Sequence, residues 1–344
     1  MDGMNASEQP GSATGAPTFS IIMPAYNCRP WIRQSVLSVL GQSEPDFELI
    51  IVDDASSDGT LDAVADLAQG DARIRLIRTS ANAGAASARN AGLQASRGRL
   101  LAFLDADDLY EPTRLAAHLA VFDAFPDAAM VFSDFRGFGD GGEEASYLVA
   151  QRNLAQSAAP HMEGPLRVRG SDADVYRCRA SLATFASVHY NVVYMHCVTL
   201  ARAAVQAQRV WFPAQLAVCE DLDFFCRILE AGPAYFLAAS LAWYRRRAGS
   251  LTQTSESFLR GMADYHTANL ERRREGLTPR DARIYEARIA SMRRSLAWQL
   301  RARDAAAESR REYWRAFRMR PDWSGARLLA KSLVPKRLAK ALRS

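Results

Sequence analysis

No lysine occurs before Lys331; all three lysines of the 344-residue chain, Lys331, Lys336 and Lys340, lie in its last fourteen residues. This excludes a P-loop, whose signature needs a G-K-[ST] step, and it leaves arginine to supply the fixed positive charge of the body. No strand followed by G-x-G-x-x-G supports a dinucleotide site. Long apolar runs are missing as well: those present reach five to nine residues, short of the ~20 that a membrane-spanning helix needs. Cysteine is sparse, with Cys28, Cys178, Cys197, Cys219 and Cys226 forming an odd set without a C-x-x-C pair. Neither a zinc site nor a disulfide framework follows from that spacing, and a reduced, cytoplasmic setting is the simplest expectation. Residues 1–17, small, polar and turn-rich, lack the basic start and apolar centre of a secretory signal and read as a disordered leader.

The net charge of +5 hides an asymmetry. From Arg260 to Ser344 there are 22 Lys+Arg against 9 Asp+Glu, a balance of +13, whereas residues 1–259 hold 21 against 29, a balance of −8. The end of the chain, "GARLLAKSLVPKRLAKALRS", sets Leu329, Leu333 and Leu338 among Lys331, Lys336, Arg337, Lys340 and Arg343. That pattern suits a helix on an anionic membrane surface, or equally a helix packed on the body or on a second copy of the chain. Nucleic acid fits less well, because the positive charge is scattered around helices without a recognisable motif.

Over residues 18–135 short β-rich apolar runs alternate with helical patterns, which predicts an α/β fold with a mostly parallel sheet flanked by helices. "FSIIMPAYN", "FELIIVDDASSDGT", "RIRLIRT" and "RLLAFLDADD" read as strands; "PWIRQSVLSVLGQS", "TLDAVADLAQ" and "GAASARNAGLQAS" read as helices. In such sheets ligands gather at the carboxyl ends of the strands, where Tyr26, Asp53, Asp54, Asp105 and Asp107 all fall. Residues 136–175 give no clear pattern. "CEDLDFFCRILEAG" predicts a helix ending near Gly232, and "AYFLAASLAWYRRRAGSLT" a strand. After Glu256 the spacing of Tyr285, Ile289, Met292, Leu296 and Leu300 predicts a helical extension over 256–344.

Acids one residue apart at a strand end, as in "LDADD", can hold a hard cation that also bridges phosphates; Asp107 and Asp108 can equally cap the helix near "EPTRL". Asp54 can accept from a base N–H or a sugar hydroxyl, and Tyr26 can stack on a base or be partly buried. Arg89 can face a diphosphate or be a solvated helix residue. Glu220, Asp221 and Asp223 can supply a general base or merely favour a helix dipole. Arg245, Arg246 and Arg247, beside Ser250, suit phosphate oxygens or form a solvated run.

The order PAYN, VDDASSDGT, NAGAASARNAG, LDADD, ED and YR…GSLT, over roughly residues 18–255, resembles the bacterial family 2 glycosyltransferases with their GT-A fold. The resemblance implies a Rossmann-like nucleotide-binding sheet in 18–135 and an acceptor and catalytic-base part in 136–255. It implies an inverting, Mg2+- or Mn2+-dependent transfer from a nucleotide sugar, a UDP-sugar first among them, to a saccharide or lipid-linked acceptor in cell-surface polysaccharide or glycoconjugate synthesis. By position, Tyr26 and Asp54 would meet the base with Asp53 in support. Arg89 would lie near the diphosphate, Asp105 near the ribose or sugar, and Asp107 on the metal. Asp221 would be the base, assisted by Glu220, with Arg245 and Ser250 near the leaving phosphates. The pattern is broken at Ala55, where glycine is common, and at Arg247, where histidine often stands. Attachment at the inner face of the membrane and self-association stay open. A D-x-D phosphatase or a receiver domain also gathers acids at strand ends, but both normally use a lysine that this body lacks; a non-catalytic nucleotide-sugar scaffold is the remaining rival.

Overall fold

The structure, a computed structural model, describes residues 15–139, 142–247 and 255–333. Most of the proposed leader, Ser250, and the tail beyond Leu333 lie outside these residues. β1 (Phe19–Ala25) is buried throughout: Phe19, Ile21 and Met23 enter one apolar cluster and Ile22 the other. Burial on both faces is what lets a continuous apolar run form a central parallel strand. Around it lie β2 (Phe47–Asp53), β3 (Ile74–Arg78) and β4 (Leu100–Phe103), in the order β3-β2-β1-β4 and all parallel. The crossovers are α1 (Arg29–Leu40), α2 (Ala65–Gly70) and α3 (Ala85–Ala95). The "TLDAVADLAQ" helix opens as a 3-10 turn at Asp62–Val64 before α2. α3 starts from Gly84 at φ 88, a left-handed geometry that glycine takes without strain.

Beyond β4 the sheet becomes mixed. β5 (Leu109–Tyr110) and α4 (Arg114–Ala124) lead to β6 (Met130–Gly139). The unassigned stretch folds as a π-helical turn at Tyr147–Gln151, α5 (Leu154–Ser157), β7 (Met162–Leu166) and β8 (Val175–Cys178). After α6 (Ser181–Val188), β9 (Val198–Ala201) inserts between β4 and β6, antiparallel to both. α7 (Arg202–Gln208) and α8 (Glu220–Ala231) precede β10 (Ala234–Arg246), which runs parallel to β6 and antiparallel to β5 and β8. The sheet is therefore parallel through its first half and mixed through its second.

α8 is seated by aromatic packing. Phe103, two residues before Asp105, has its ring 5.5 Å from Phe212, 6.3 Å from Phe224 and 6.5 Å from Phe225. Each buried Phe contributes about 2–3 kcal/mol by removal from water, and this cluster ties the start of α8 to the end of β4. The helical extension consists of α9 (Glu256–Arg273), α10 (Pro279–Ala302), α11 (Ala306–Met319) and α12 (Trp323–Leu333). Tyr285, Ile289, Leu296 and Leu300 are buried as their spacing predicts, while Met292 of the same series is only partly buried. Tyr285 and Ile289 pack with Val188 of α6, so the extension rests on the sheet body. All five cysteines are free and buried. Among the described residues no helix is long and apolar enough to cross a membrane.

Gly98 allows a close approach of two backbones. Its N–H donates to Ser20 Oγ at 2.7 Å, and an added Cβ would stand 2.5 Å from the backbone of Phe19 and Ser20. Gly98→Ala is therefore expected to destabilise the chain by about 2–3 kcal/mol, read as a lower denaturation midpoint at unchanged slope.

Candidate active site

The ends of β1, β2, β4 and β10, with the start of α8, bring the sequence-predicted acids and arginines to one edge of the sheet. Arg89, on α3, is the link. It is buried, with Nη2 donating to Asp105 Oδ1 at 2.8 Å and Nη1 to Glu220 Oε1 at 2.9 Å. One guanidinium thus joins carboxylates from β4 and α8, and it lies over the Phe212 ring at 5.6 Å. The solvated alternative for Arg89 is overturned: α3 turns this side chain inward, where two carboxylates offset the cost of burying its charge.

Asp107 and Asp105 keep partly exposed side chains, 22% and 34%. Arg247 Nε lies 2.7 Å from Asp107 Oδ2, and its guanidinium covers the Trp31 ring at 4.3 Å. Arg245 donates from Nε to the Asp107 carbonyl at 2.7 Å and from Nη2 to Gln34 at 2.6 Å. The arginine run is therefore not simply solvated: Arg245 and Arg247 fold back on the D-x-D loop, while exposed Arg246 pairs with Glu144. Arg247, a departure from the family pattern and one of the three arginines read as suited to phosphate, is the one that pairs with the Asp107 carboxylate.

Asp108 corrects an expectation. α4 begins at Arg114 behind Thr113, with no side-chain cap, so neither Asp107 nor Asp108 caps it. Asp108 is buried; Oδ1 accepts from the Arg245 backbone N–H at 2.8 Å, and Oδ2 lies 3.0 Å from His196 Nδ1. Burial pushes its carboxyl up to about 6 against the opposing effect of His196. Its place is to fix β10 against the D-x-D loop. His196, buried with it, had no signal in the sequence.

Tyr26 stands at the rim, 51% exposed, and is the predicted base-facing residue that is open to solvent. Asp53 and Asp54 are buried. Asp53 accepts from the Ser56 N–H at 3.3 Å and faces Arg78 at 3.4 Å. Asp54 accepts from Thr79 Oγ1 at 3.0 Å, from the Ala83 N–H at 3.1 Å and from the Gly84 N–H at 2.7 Å. These donors make Asp54 the anchor of the loop that starts α3, and so of Arg89. Ala55 takes φ 59, the left-handed geometry that a glycine would adopt without strain.

Asp221 opens α8 beside Glu220. The Leu222 N–H donates to its Oδ1 at 2.7 Å. Burial pushes the Asp221 carboxyl up to about 7, helped by the Glu220 and Asp105 carboxylates and opposed by Arg89. Burial and like charge therefore outweigh the helix dipole, which would lower it. An acid poised there can take a hydroxyl proton near neutrality.

Asp105 and Asp107 also fit a divalent ion by donor chemistry. Among the described residues no three His, Cys, Asp or Glu converge into a protein-only cage. Mg2+ and Mn2+ need none, since they keep water and take phosphate oxygens beside one or two carboxylates.

Residues 20–180 match the family model for glycosyl transferase family 2. The chain is similar to the Escherichia coli UDP-Glc:alpha-D-GlcNAc-diphosphoundecaprenol beta-1,3-glucosyltransferase WfgD, 41% identical over 102 residues. That match covers 30% of this chain and 40% of the relative, so the chain spans under half the length of such curated relatives. In fold it is similar to S. aureus TarS in complex with UDP-GlcNAc, at TM-score 0.61 and 18% identity over 88% of this chain and 82% of that one. It is likewise similar to a mannosyltransferase from Pyrobaculum calidifontis in complex with GDP-Man and Mn2+, at TM-score 0.56 and 18% identity over 92% and 80% of the two chains. Six motifs in family order, the match over 20–180 and the GT-A architecture agree: it is to glycosyl transferase family 2 that this part of the chain is similar.

Proposed function

We propose that the chain transfers a sugar, with inversion and with Mg2+ or Mn2+, from a UDP-sugar to a hydroxyl of a saccharide or lipid-linked acceptor in polysaccharide synthesis. The observation that carries this reading is the Asp105–Arg89–Glu220 bridge. It holds the donor-side acids and the Asp221 base in fixed relation, as a single displacement requires. The UDP-sugars in the WfgD name and the TarS complex support a uridine donor, and the Mn2+ of the archaeal complex supports the cation.

In this reading Tyr26 stacks on the base, while Asp54 acts through the Ala83–Gly84 loop. Asp107 would hold the cation and Asp105 would face the ribose or sugar; the cation would supply charge stabilisation to the departing nucleotide. Arg247 and Arg245 stand beside Asp107 to meet phosphate oxygens. Asp221 takes the proton of the acceptor hydroxyl as that oxygen attacks the anomeric carbon. Arg89 is a positioning residue, and Glu220 assists by keeping the Asp221 carboxyl basic. Screening nucleotide sugars with Mn2+ for thermal stabilisation is expected to single out UDP-sugars, and NMR of the product is expected to show the inverted anomer. A retained anomer, or stabilisation by no nucleotide sugar, overturns the reading.

The same proposal places the chain at the cytoplasmic face of a membrane. Trp298, Trp314 and Trp323, on α10, α11 and α12, are 67%, 49% and 87% exposed, amid the positive excess of the extension. Indole rings and basic residues together suit an anionic lipid surface. The full chain is expected to sediment with anionic vesicles and a variant with Trp298, Trp314 and Trp323 all changed to alanine to stay in solution; equal sedimentation overturns the attachment.

A further inference from the structure

Between the 209–216 loop, α8 and α9 lies a cavity of about 530 Å³. That volume is ordinary for a small-molecule site. Three guanidiniums line it, from Arg209, Arg227 and Arg272, against one carboxylate, Asp223, a balance of +2. Asp223 is already met by Arg227 at 2.9 Å and by Arg272 at 3.2 Å. Arg209 has no ion-pair partner among the described residues, and it is held at the cavity by φ 48 at the end of α7.

Two further polar groups of the lining lack partners among the described residues. The Tyr265 hydroxyl is buried without a hydrogen bond, on a residue only 7% exposed, and the buried Arg227 Nε is likewise unpaired. A buried hydroxyl left unmade costs about 1–3 kcal/mol; beside spare guanidinium donors it is a ready donor to an anion. The lining also holds apolar groups: Trp211, 44% exposed, with Phe212, Pro213 and Leu216. A lining that combines guanidiniums and a phenol with an indole and apolar side chains matches a ligand that is anionic at one end and hydrocarbon at the other.

We propose that this cavity binds a phosphoryl anion joined to an apolar chain. If the transfer reading above holds, on which this identification of the source rests, the ligand is the carrier end of the acceptor; otherwise it is a prenyl phosphate acting as an effector. Either ligand touches the loop that runs directly into Cys219, Glu220 and Asp221. Arg209 is the residue to change, because it is exposed and supports no other charge, and asparagine keeps its left-handed backbone.

The probe is farnesyl diphosphate, with inorganic diphosphate and farnesol as its halves, titrated by calorimetry and by tryptophan fluorescence. Farnesyl diphosphate is expected to bind at least tenfold more tightly than either half. Arg209→Asn is expected to weaken it roughly fivefold or more, and Trp211→Phe to remove the fluorescence change. No binding, equal binding of diphosphate and farnesyl diphosphate, or an Arg209→Asn variant that binds as the parent does, overturns the site. UDP-dependent stabilisation is read in parallel on Arg209→Asn; if UDP fails to bind while farnesyl diphosphate binds, the site stands and the transfer reading falls. A farnesyl-diphosphoryl sugar that binds more tightly than farnesyl diphosphate and accepts the transferred sugar identifies the carrier; the opposite preference identifies the effector, and either supports the site.

Discussion

Asp221→Asn is expected to lower turnover by roughly 10²–10⁴, the usual contribution of a positioned base, while leaving UDP-dependent stabilisation unchanged. The amide keeps the size of the side chain but cannot take a proton. In the parent, turnover should rise with pH through about 7, where the Asp221 carboxyl ionises; residual activity in the variant should lose that limb. Stability should move the other way. Because the folded carboxyl is held far above the ordinary value, the native state binds the proton more tightly than the unfolded chain. The resulting penalty is absent below about pH 4, grows as pH rises, and is full above about pH 7. Asp221→Asn should therefore be more stable than the parent at pH 8, by about 2 kcal/mol once partial exposure is allowed for, and gain nothing at pH 4. A variant with parental turnover would remove Asp221 as the base.

Asp107→Ala is expected to abolish the part of donor binding that depends on Mn2+. With a UDP-sugar at about a hundredfold its dissociation constant, the parent gains about 2.7 kcal/mol of apparent stability, and the variant should keep only the fraction seen with a chelator present. Arg247, released from Asp107, should still attract phosphate, so metal-independent UDP binding should persist. The two variants thus separate donor capture from proton removal. An alanine variant that shows the full Mn2+-dependent shift would take Asp107 out of the metal site.

The donor half was readable because its signals are local. Continuous apolar runs flanked by turn residues gave β1, β2, β3 and β4, and the acids at their ends were visible as strings. The arrangement of those acids was not. Nothing near Arg89 in the chain shows that it meets Glu220, 131 residues away; the seating of α8 on Phe103 decides that. Asp108 looked like a cap because caps are local, yet its partners are His196 and Arg245. Residues 136–175 were opaque for a similar reason. Asp134, fully buried, accepts from the Phe135 N–H at 2.7 Å, the Leu148 N–H at 2.7 Å and the Val149 N–H at 2.9 Å. That carboxylate, not a periodic pattern, anchors the π-helical turn.

The insertion of β9 between β4 and β6 bears on how the chain acquires its site during synthesis. β1 to β4 form a parallel unit complete within the first 103 residues, so it can collapse early. Its β4 edge then stays open until Val198–Ala201 emerges, and an unpaired edge is a hazard for aggregation. Glu220 and Arg245 arrive later still. The nascent N-terminal unit therefore presents Asp105 and Asp107 without the partners that α8 and β10 bring, and donor capture should appear only after β10 has left the ribosome. A ribosome-bound series of increasing length would place the onset of nucleotide protection after residue 246.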